Sequence, residues 1–285
     1  MGEGQGAAPS GRKDAKMTAP RGWPAAPVRF AHAMRAYVMA PWRPRRYPWE
    51  EIWTAQMTRL AVGFLAAAAL LTLFDAAAYT HMRETRGALH VVLHAITDLG
   101  KSEWYLVPSL VVILVLAALD WKAREPRVRA QLAFAFAQAG FAFAAIAVSG
   151  IVVNIVKFFI GRGRPVLFEE GGIFQFQPFS SQYANLSFPS GHSTTCGALA
   201  MILILWFPRW WPAWSAWLLA IAMSRVPAGA HYPSDVVAGY ALGLLYTLWL
   251  ARWLAVRKAG FTPRRGRLLP ALRQARSWYL TPRKS

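Results

Sequence analysis

The sequence predicts an all-α, polytopic membrane protein with six transmembrane helices and a short interfacial helix between the first two. Three observations predict it. Apolar residues come in runs of bilayer length, for which a helix needs roughly 20 mostly apolar residues. Only 16% of the 285 residues are charged, against about 25% in an ordinary soluble chain. The Lys and Arg residues sit mostly in the two ends and one short loop. Buried helices of a large soluble protein would instead show an apolar stripe with a polar back.

Residues 1–26 are rich in Gly, Ala and Pro with scattered charge, and they lack the apolar centre of a cleavable signal. They are expected to be disordered. Residues 28–55 interleave Arg with Trp and Tyr, as in PWRPRRYPWEEIW, a mixture suited to the headgroup level. Spans are expected over residues 60–79, 104–121, 130–159, 193–207, 211–223 and 235–256. The third is long enough to tilt or to project beyond the bilayer. The fifth is short and Trp-flanked, with Pro212 at its start. The stretch GALHVVLHAITDLG, residues 87–100, reads as the interfacial helix, ended by Gly100. The expected organisation is a basic, partly disordered tail (1–55), a six-helix membrane domain (56–258) and a second basic tail (259–285).

A net charge of +19 and a pI near 11.0 would by themselves point to nucleic acid. Here the basic residues flank apolar runs, which favours anionic headgroups and no nucleic-acid partner. The single cysteine, Cys196, cannot form an intrachain disulfide.

Orientation follows from the positive-inside bias of short loops. Arg43, Arg45, Arg46 and Arg59 precede or open the first span. Lys122, Arg124, Arg127 and Arg129 join the second to the third. Arg209 joins the fourth to the fifth, and Arg252, Arg257, Lys258, Arg264, Arg265 and Arg267 end or follow the sixth. With six spans, all four segments fall on one side, expected to be cytoplasmic, and both termini with them. The connections 80–103, 160–192 and 224–234 then face outward, towards the periplasm or exterior of a plasma (inner) membrane.

The outward side collects the chemistry. Lys157, Arg164, Ser190, Gly191, His192, Arg225, His231 and Asp235 all fall there. Three cations without matching acids in their loops suit a tetrahedral oxyanion, with Arg supplying a planar fork. In FPSGHS the chain enters a helix, so its N–H groups form a phosphate cradle that Gly191 lets a ligand approach. Ser190 adds a hydroxyl. The two histidines suit proton and nucleophile work near neutral pH. Asp235, four residues after His231, can hold one ring nitrogen as N–H and leave the other nucleophilic. It also suits a helix N-terminus as a simple dipole partner.

Three stretches taken together resemble a known family. KFFIGRGRP fits Lys, six residues, Arg-Pro; PSGH stands at 189–192; SRVPAGAHYPSD fits Ser-Arg, five residues, His, three residues, Asp. In this order and spacing they resemble the signature motifs of the type-2 phosphatidic acid phosphatase superfamily, in its membrane lipid phosphatase branch. The likeness covers roughly residues 55–256 and leaves out the tails. It implies a phosphatase in which His231 attacks phosphorus, Asp235 orients His231, and His192 protonates the leaving oxygen and then activates water. Lys157, Arg164, Ser190, Gly191 and Arg225 would hold the phosphoryl oxygens. No cofactor and no metal are implied. The expected partner is the bilayer and a phospholipid, isoprenoid or glycolipid phosphate: phosphatidic acid, phosphatidylglycerol phosphate, undecaprenyl diphosphate or a lipid A phosphate. A phosphotransferase passing the group to a second lipid, or a non-catalytic lipid-phosphate binding or transport protein, are the alternatives.

Other polar residues carry less. His90 and His94 share a face of the interfacial helix, but no third metal ligand is nearby, so interfacial histidines are expected. Asp75 lies near the outward end of the first span, suited to an interhelical contact or to substrate. Lys101 and Ser102 face the site side, as headgroup anchors or contacts to a second phosphate. Gly239 and Gly243 form GxxxG in the sixth span and predict tight helix packing. Gln138 and Asn154 are expected to bond between helices.

Overall fold

The computed structural model describes residues 51–84, 96–121 and 124–273. The expected interfacial helix falls mostly outside them, with His90 and His94; of its described end, residues 96 and 97 are α-helical and Asp98–Gly100 form a 3-10 turn. Seven helices carry the described fold: α1 (Ala55–Thr72), α2 (Asp75–Glu84), α3 (Glu103–Ala118), α4 (Pro126–Ile160), α5 (Gly191–Trp206), α6 (Trp211–Met223) and α7 (Pro233–Ala255). A short antiparallel hairpin, β1 (Phe261–Thr262) and β2 (Ala271–Leu272), follows them.

The helix ends have local causes. Thr54 caps α1, its side chain accepting the Met57 N–H. Pro126 opens α4 with a preset φ. Gly161 ends α4 in the left-handed conformation (φ 62°), and a Cβ there would stand 1.7 Å from the Gln177 carbonyl oxygen. Ser190 caps α5, and Pro233 opens α7. The first expected span, 60–79, divides into α1 and α2 at a turn over Leu73 and Phe74. The apolar run continues through the turn, so hydropathy does not mark it.

Among the described residues, three helices are long and apolar enough to cross a membrane: α1, α4 and α7. α3 and α5 are apolar but have 16 residues each, about 24 Å of helix against roughly 30 Å of hydrocarbon. α6 has 13. Large apolar side chains face outward from α1 (Val62, Leu65), α3 (Val107, Val115) and α4 (Ile151, Phe159), a surface that lipid rather than water would cover.

The core is built on α5 and α7, which run parallel. Gly239 of α7 lies against Ser190, and Gly243 against Thr194. A Cβ on either would stand 2.2 and 1.9 Å from the facing carbonyl oxygen, and one on Gly197 would stand 2.0 Å from that of Tyr240. The backbones therefore touch, as the GxxxG spacing predicts. Gln138 of α4 accepts from Trp206 Nε1 (2.8 Å) and donates to the Gly260 carbonyl (3.2 Å); Asn154 is exposed. At the far end of α7, buried Arg252 donates to the carbonyls of Ile52, Arg267 and Leu268. Phe261 packs edge-on against Phe141. Residues 259–273, expected as the start of a tail, fold against this end.

At the opposite end, the C-termini of α4 and α6 meet the N-termini of α2, α5 and α7. The 161–190 connection folds back on itself there. Gln177 N–H bonds the Gly161 carbonyl, Gly163 N–H that of Gln175, Arg164 N–H that of Ala184, and Ser187 N–H that of Arg162. These bonds clamp residues 161–164 inside the loop and so aim two arginines at the end of the bundle.

Candidate active site

The first turn of α7 places a carboxylate behind a histidine. Asp235, the third residue of α7, turns back to accept the Tyr232 N–H through Oδ2 (3.0 Å). The same oxygen accepts from Ser187 Oγ (2.6 Å). Oδ1 accepts from Arg162 (2.6 Å). His231 Nδ1 stands 3.7 Å from Oδ2, an electrostatic contact beyond hydrogen-bond length. Ser187 Oγ lies between them, 3.4 Å from Nδ1. Asp235 and His231 are both buried. Burial pushes His231 down to about 3, outweighing the pull of Asp235 in the other direction. The imidazole is therefore neutral at pH 7, with one nitrogen holding a lone pair.

Two cations converge on one carbonyl. Lys157, in the last turn of α4, donates to the Leu186 carbonyl (2.8 Å). Arg164 donates to the same oxygen (3.3 Å), to Tyr183 O (3.0 Å) and to Ala230 O (3.2 Å), the residue before His231. Its guanidinium stacks 3.8 Å from the Tyr183 ring. Arg225 follows α6 and donates to Thr97 Oγ1 (3.2 Å). Lys157 and Arg164 act electrostatically on His231, and Arg225 on His192. Among the described residues none of the three forms an ion pair, although Lys157 and Arg164 are buried. Burial, reinforced by Arg225, lowers Arg164, yet a guanidinium stays charged at any physiological pH. Such an arrangement attracts an oxyanion.

The start of α5 supplies the remaining groups. Ser190 accepts from Ser193 N–H (3.4 Å) and Ser193 Oγ (2.9 Å), so its oxygen is committed to capping while its own proton can still be donated. A Cβ on Gly191 would meet nothing within 4 Å; the protein's own packing does not require glycine there. His192 Nε2 is buried and has no hydrogen-bond partner among the described residues. The Asp98–Gly100 turn covers it: a Cβ on Gly100 would stand 3.3 Å from His192 Cβ and Cδ2. Lys101 pairs with Asp98 (3.0 Å) on the exposed side of that turn.

The structure thus brings all eight sequence-selected residues to one end of the bundle. Two further residues were not singled out. Ser187 sits between Asp235 and His231. Arg162 is an unspecified position of the Lys-x6-Arg-Pro pattern, and its only sequence signal is a buried acid, Asp75, in need of a cation. Arg162 donates to Asp235, Asp75 (2.8 Å) and Ser234 Oγ (2.8 Å). Burial lowers it, but Asp235 and Asp75 outweigh that and raise it.

Comparison with known proteins gives a concordant picture. The PAP2 superfamily model matches residues 138–259, a range that includes the eight residues but not Asp75. A lipid A 1-phosphatase of Rhizobium etli is 37% identical over 186 residues, covering 65% of this chain and 79% of that protein. A lipid A 1-phosphatase of Rhizobium johnstonii is 39% identical over 156 residues, 55% of this chain and 64% of that one. An undecaprenyl-diphosphatase of Sulfolobus acidocaldarius is 31% identical over 99 residues, 33% of this chain and 44% of that one.

Proposed function

The chain belongs to the PAP2 superfamily, and from that premise we propose that it is a membrane lipid phosphatase acting on a lipid A type 1-phosphate at the outward face. The observation that carries the chemistry is His231, buried and neutral, with Asp235 behind its Nδ1 edge and Lys157 and Arg164 within electrostatic reach. The two lipid A 1-phosphatases, at 37% and 39% identity, support the choice of lipid. Six spans and cytoplasmic termini are part of the reading, supported by the distribution of Lys and Arg. In it, the acyl chains stay in the bilayer while the phosphate enters at the helix ends.

The reaction runs in two displacements. His231 Nε2 attacks phosphorus, a phosphorus–nitrogen bond forms, and the bond to the lipid oxygen breaks. His192, which burial and then Arg225 lower to about 4, takes up a proton as the phosphate's negative charge enters beside it, and the resulting imidazolium gives that proton to the lipid oxygen. Asp235, through Ser187, offsets the positive charge on the phosphorylated ring. Water then attacks phosphorus while His192 takes its proton, the phosphorus–nitrogen bond breaks, and inorganic phosphate leaves. Lys157, Arg164, Arg225, the Ser190 hydroxyl and the Gly191 N–H hold the phosphoryl oxygens throughout. No step calls for a metal.

The test is phosphate release by the purified full-length protein from lipid A, phosphatidic acid, phosphatidylglycerol phosphate and undecaprenyl diphosphate. Lipid A should turn over fastest, and His231→Ala should abolish turnover. Equal release by wild type and His231→Ala removes the enzyme reading. A faster rate on another of the four removes the choice of lipid. Labelled phosphate recovered on a second lipid, instead of free, makes the protein a phosphotransferase.

A further inference from the structure

We infer that Asp75 and Arg162 form a buried positioning pair that sets the orientation and the net charge of Asp235 behind His231. The inference rests on the proposed role of His231 and goes beyond it, to two residues that the three motifs do not specify.

The geometry is specific. Arg162 spans both carboxylates with one planar fork: Nη1 to Asp235 Oδ1 at 2.6 Å, Nη2 to Asp75 Oδ2 at 2.8 Å. Nη1 also reaches Ser234 Oγ, and Nε donates to the Ile173 carbonyl at 3.2 Å. Most of its donors are used, so it is not organised as a phosphate ligand like Arg164 or Arg225. Asp75 is closed in from the other side. It accepts the Ser234 N–H (3.1 Å) and the Ser234 hydroxyl (2.5 Å). Asp75 and Asp235 are wholly buried and Arg162 is 4% exposed. Three distant segments meet here: the start of α2, the loop after α4 and the start of α7.

Charge accounts for the third member. Arg162 alone beside Asp235 would cancel the carboxylate, leaving nothing to offset the positive ring formed when His231 takes up phosphate. Asp75 matches Arg162, so the trio keeps one net negative charge behind His231. The Asp235 carboxylate is held at both oxygens, Oδ1 by Arg162 and Oδ2 by Ser187 and the Tyr232 N–H, so it cannot rotate away from the histidine. Asp75 and Arg162 are thus positioning residues, acting through Asp235.

The experiment compares wild type, Asp75→Asn, Arg162→Gln, their double variant and Arg162→Lys as purified full-length proteins, on the fastest of the four lipids. Readouts are kcat, KM, melting temperature and the yield of alkali-stable phosphohistidine. Asp75→Asn should lower kcat roughly tenfold, within the usual range for coupled neighbours in one buried network. KM should stay within about twofold, because the cations that hold phosphate are untouched. The double variant should lose no more than the worse single one. Arg162→Lys keeps the charge but cannot bridge two carboxylates, and should show the same kcat loss with unchanged KM; it carries the test if Asp75→Asn does not fold. Wild-type kcat in Asp75→Asn or Arg162→Lys, or losses that multiply in the double variant, overturn the inference. His231→Ala separates the two failures. If it matches wild type, the phosphatase reading falls; if turnover needs His231 but ignores Asp75, only the positioning pair falls.

Discussion

Replacing Gly239 by alanine adds one methyl group between α5 and α7 at the site end of the bundle and should disable the site without unfolding the protein. The magnitude follows from the contact. A Cβ at Gly239 would stand 2.2 Å from the Ser190 carbonyl oxygen and 3.0 Å from its nitrogen. Carbon and oxygen in ordinary contact lie about 3.3 Å apart, so α5 and α7 must separate locally by about 1 Å. Backbone on both sides leaves no flexible side chain to yield. Overpacking of this kind costs about 1–3 kcal/mol, partly offset by the roughly 1 kcal/mol that alanine gains over glycine in a helix. The net loss of stability is therefore small. The loss of activity is not, because Ser190 leads into His192 while Gly239 follows Asp235 by four residues. The substitution moves one histidine relative to the other, and a 1 Å misplacement can cost on the order of 100-fold. The assay is lipid phosphate release at saturating substrate, beside thermal melting in the same detergent. Gly63→Ala is the control, since a Cβ there meets nothing within 4 Å; it should melt no lower and turn over normally. If Gly239→Ala keeps activity within about threefold of wild type, the claim that this contact sets the spacing of the histidines is wrong.

Three further substitutions probe single contacts. His192→Ala should slow turnover of lipid yet still form phosphohistidine from an ester with a good leaving group, seen as alkali-stable label on the chain; no label would place His192 before the first displacement. Ser187→Ala removes the hydroxyl between Asp235 and His231 and should lower kcat roughly tenfold, the scale of a hydrogen bond to a charged group, with KM unchanged. Gly161→Ala sets a Cβ in a left-handed turn against the Gln177 carbonyl. It should lower the melting temperature and weaken phosphate binding together, because the loop it starts carries Arg162 and Arg164. Unchanged melting would show that the loop relaxes at no cost.

Much of this arrangement can be read without coordinates, for a definite reason. Each of the eight selected residues lies within a few positions of a helix end, and apolar runs reveal helix ends even when they blur helix lengths. Which side of the membrane each end faces is a separate expectation, drawn from positive-inside bias alone. What stayed illegible depends on pairing between distant segments. Asp75 and Arg162 are 87 positions apart, and no local pattern links them. Ser187 looks like an ordinary loop serine until Asp235 turns back on it. The break at Leu73 and Phe74 is hidden because both residues are apolar and no glycine or proline marks it. The hairpin at 261–272 was hidden by its arginines, which suggested a solvated tail; yet buried Arg252 holds the Arg267 and Leu268 carbonyls against the end of α7.

The placement of charge explains why so many ionisable groups tolerate burial here. An isolated charge taken out of water costs several kcal/mol, so buried groups need partners or a task. Asp75, Arg162 and Asp235 are partnered among themselves and stand on one side of His231. Lys157, Arg164 and Arg225 hold only carbonyls and a hydroxyl, and among the described residues none of them forms an ion pair with a carboxylate. The two groups act on the neutral imidazole with opposite sign: Asp235 stands 3.7 Å from its Nδ1, and Lys157 and Arg164 oppose the pull of that carboxylate. A phosphoryl group entering between His231 and the cations would meet the field its transition state requires, while a neutral headgroup would leave two buried cations, Lys157 and Arg164, and the half-buried Arg225 uncompensated. On these grounds binding should favour a doubly charged phosphate monoester over a phosphodiester of the same lipid, whose single charge offsets less of the cluster. Competition of each lipid against wild-type turnover measures that ratio, and a diester binding as tightly as the monoester would mean that the cations serve the fold rather than the phosphate.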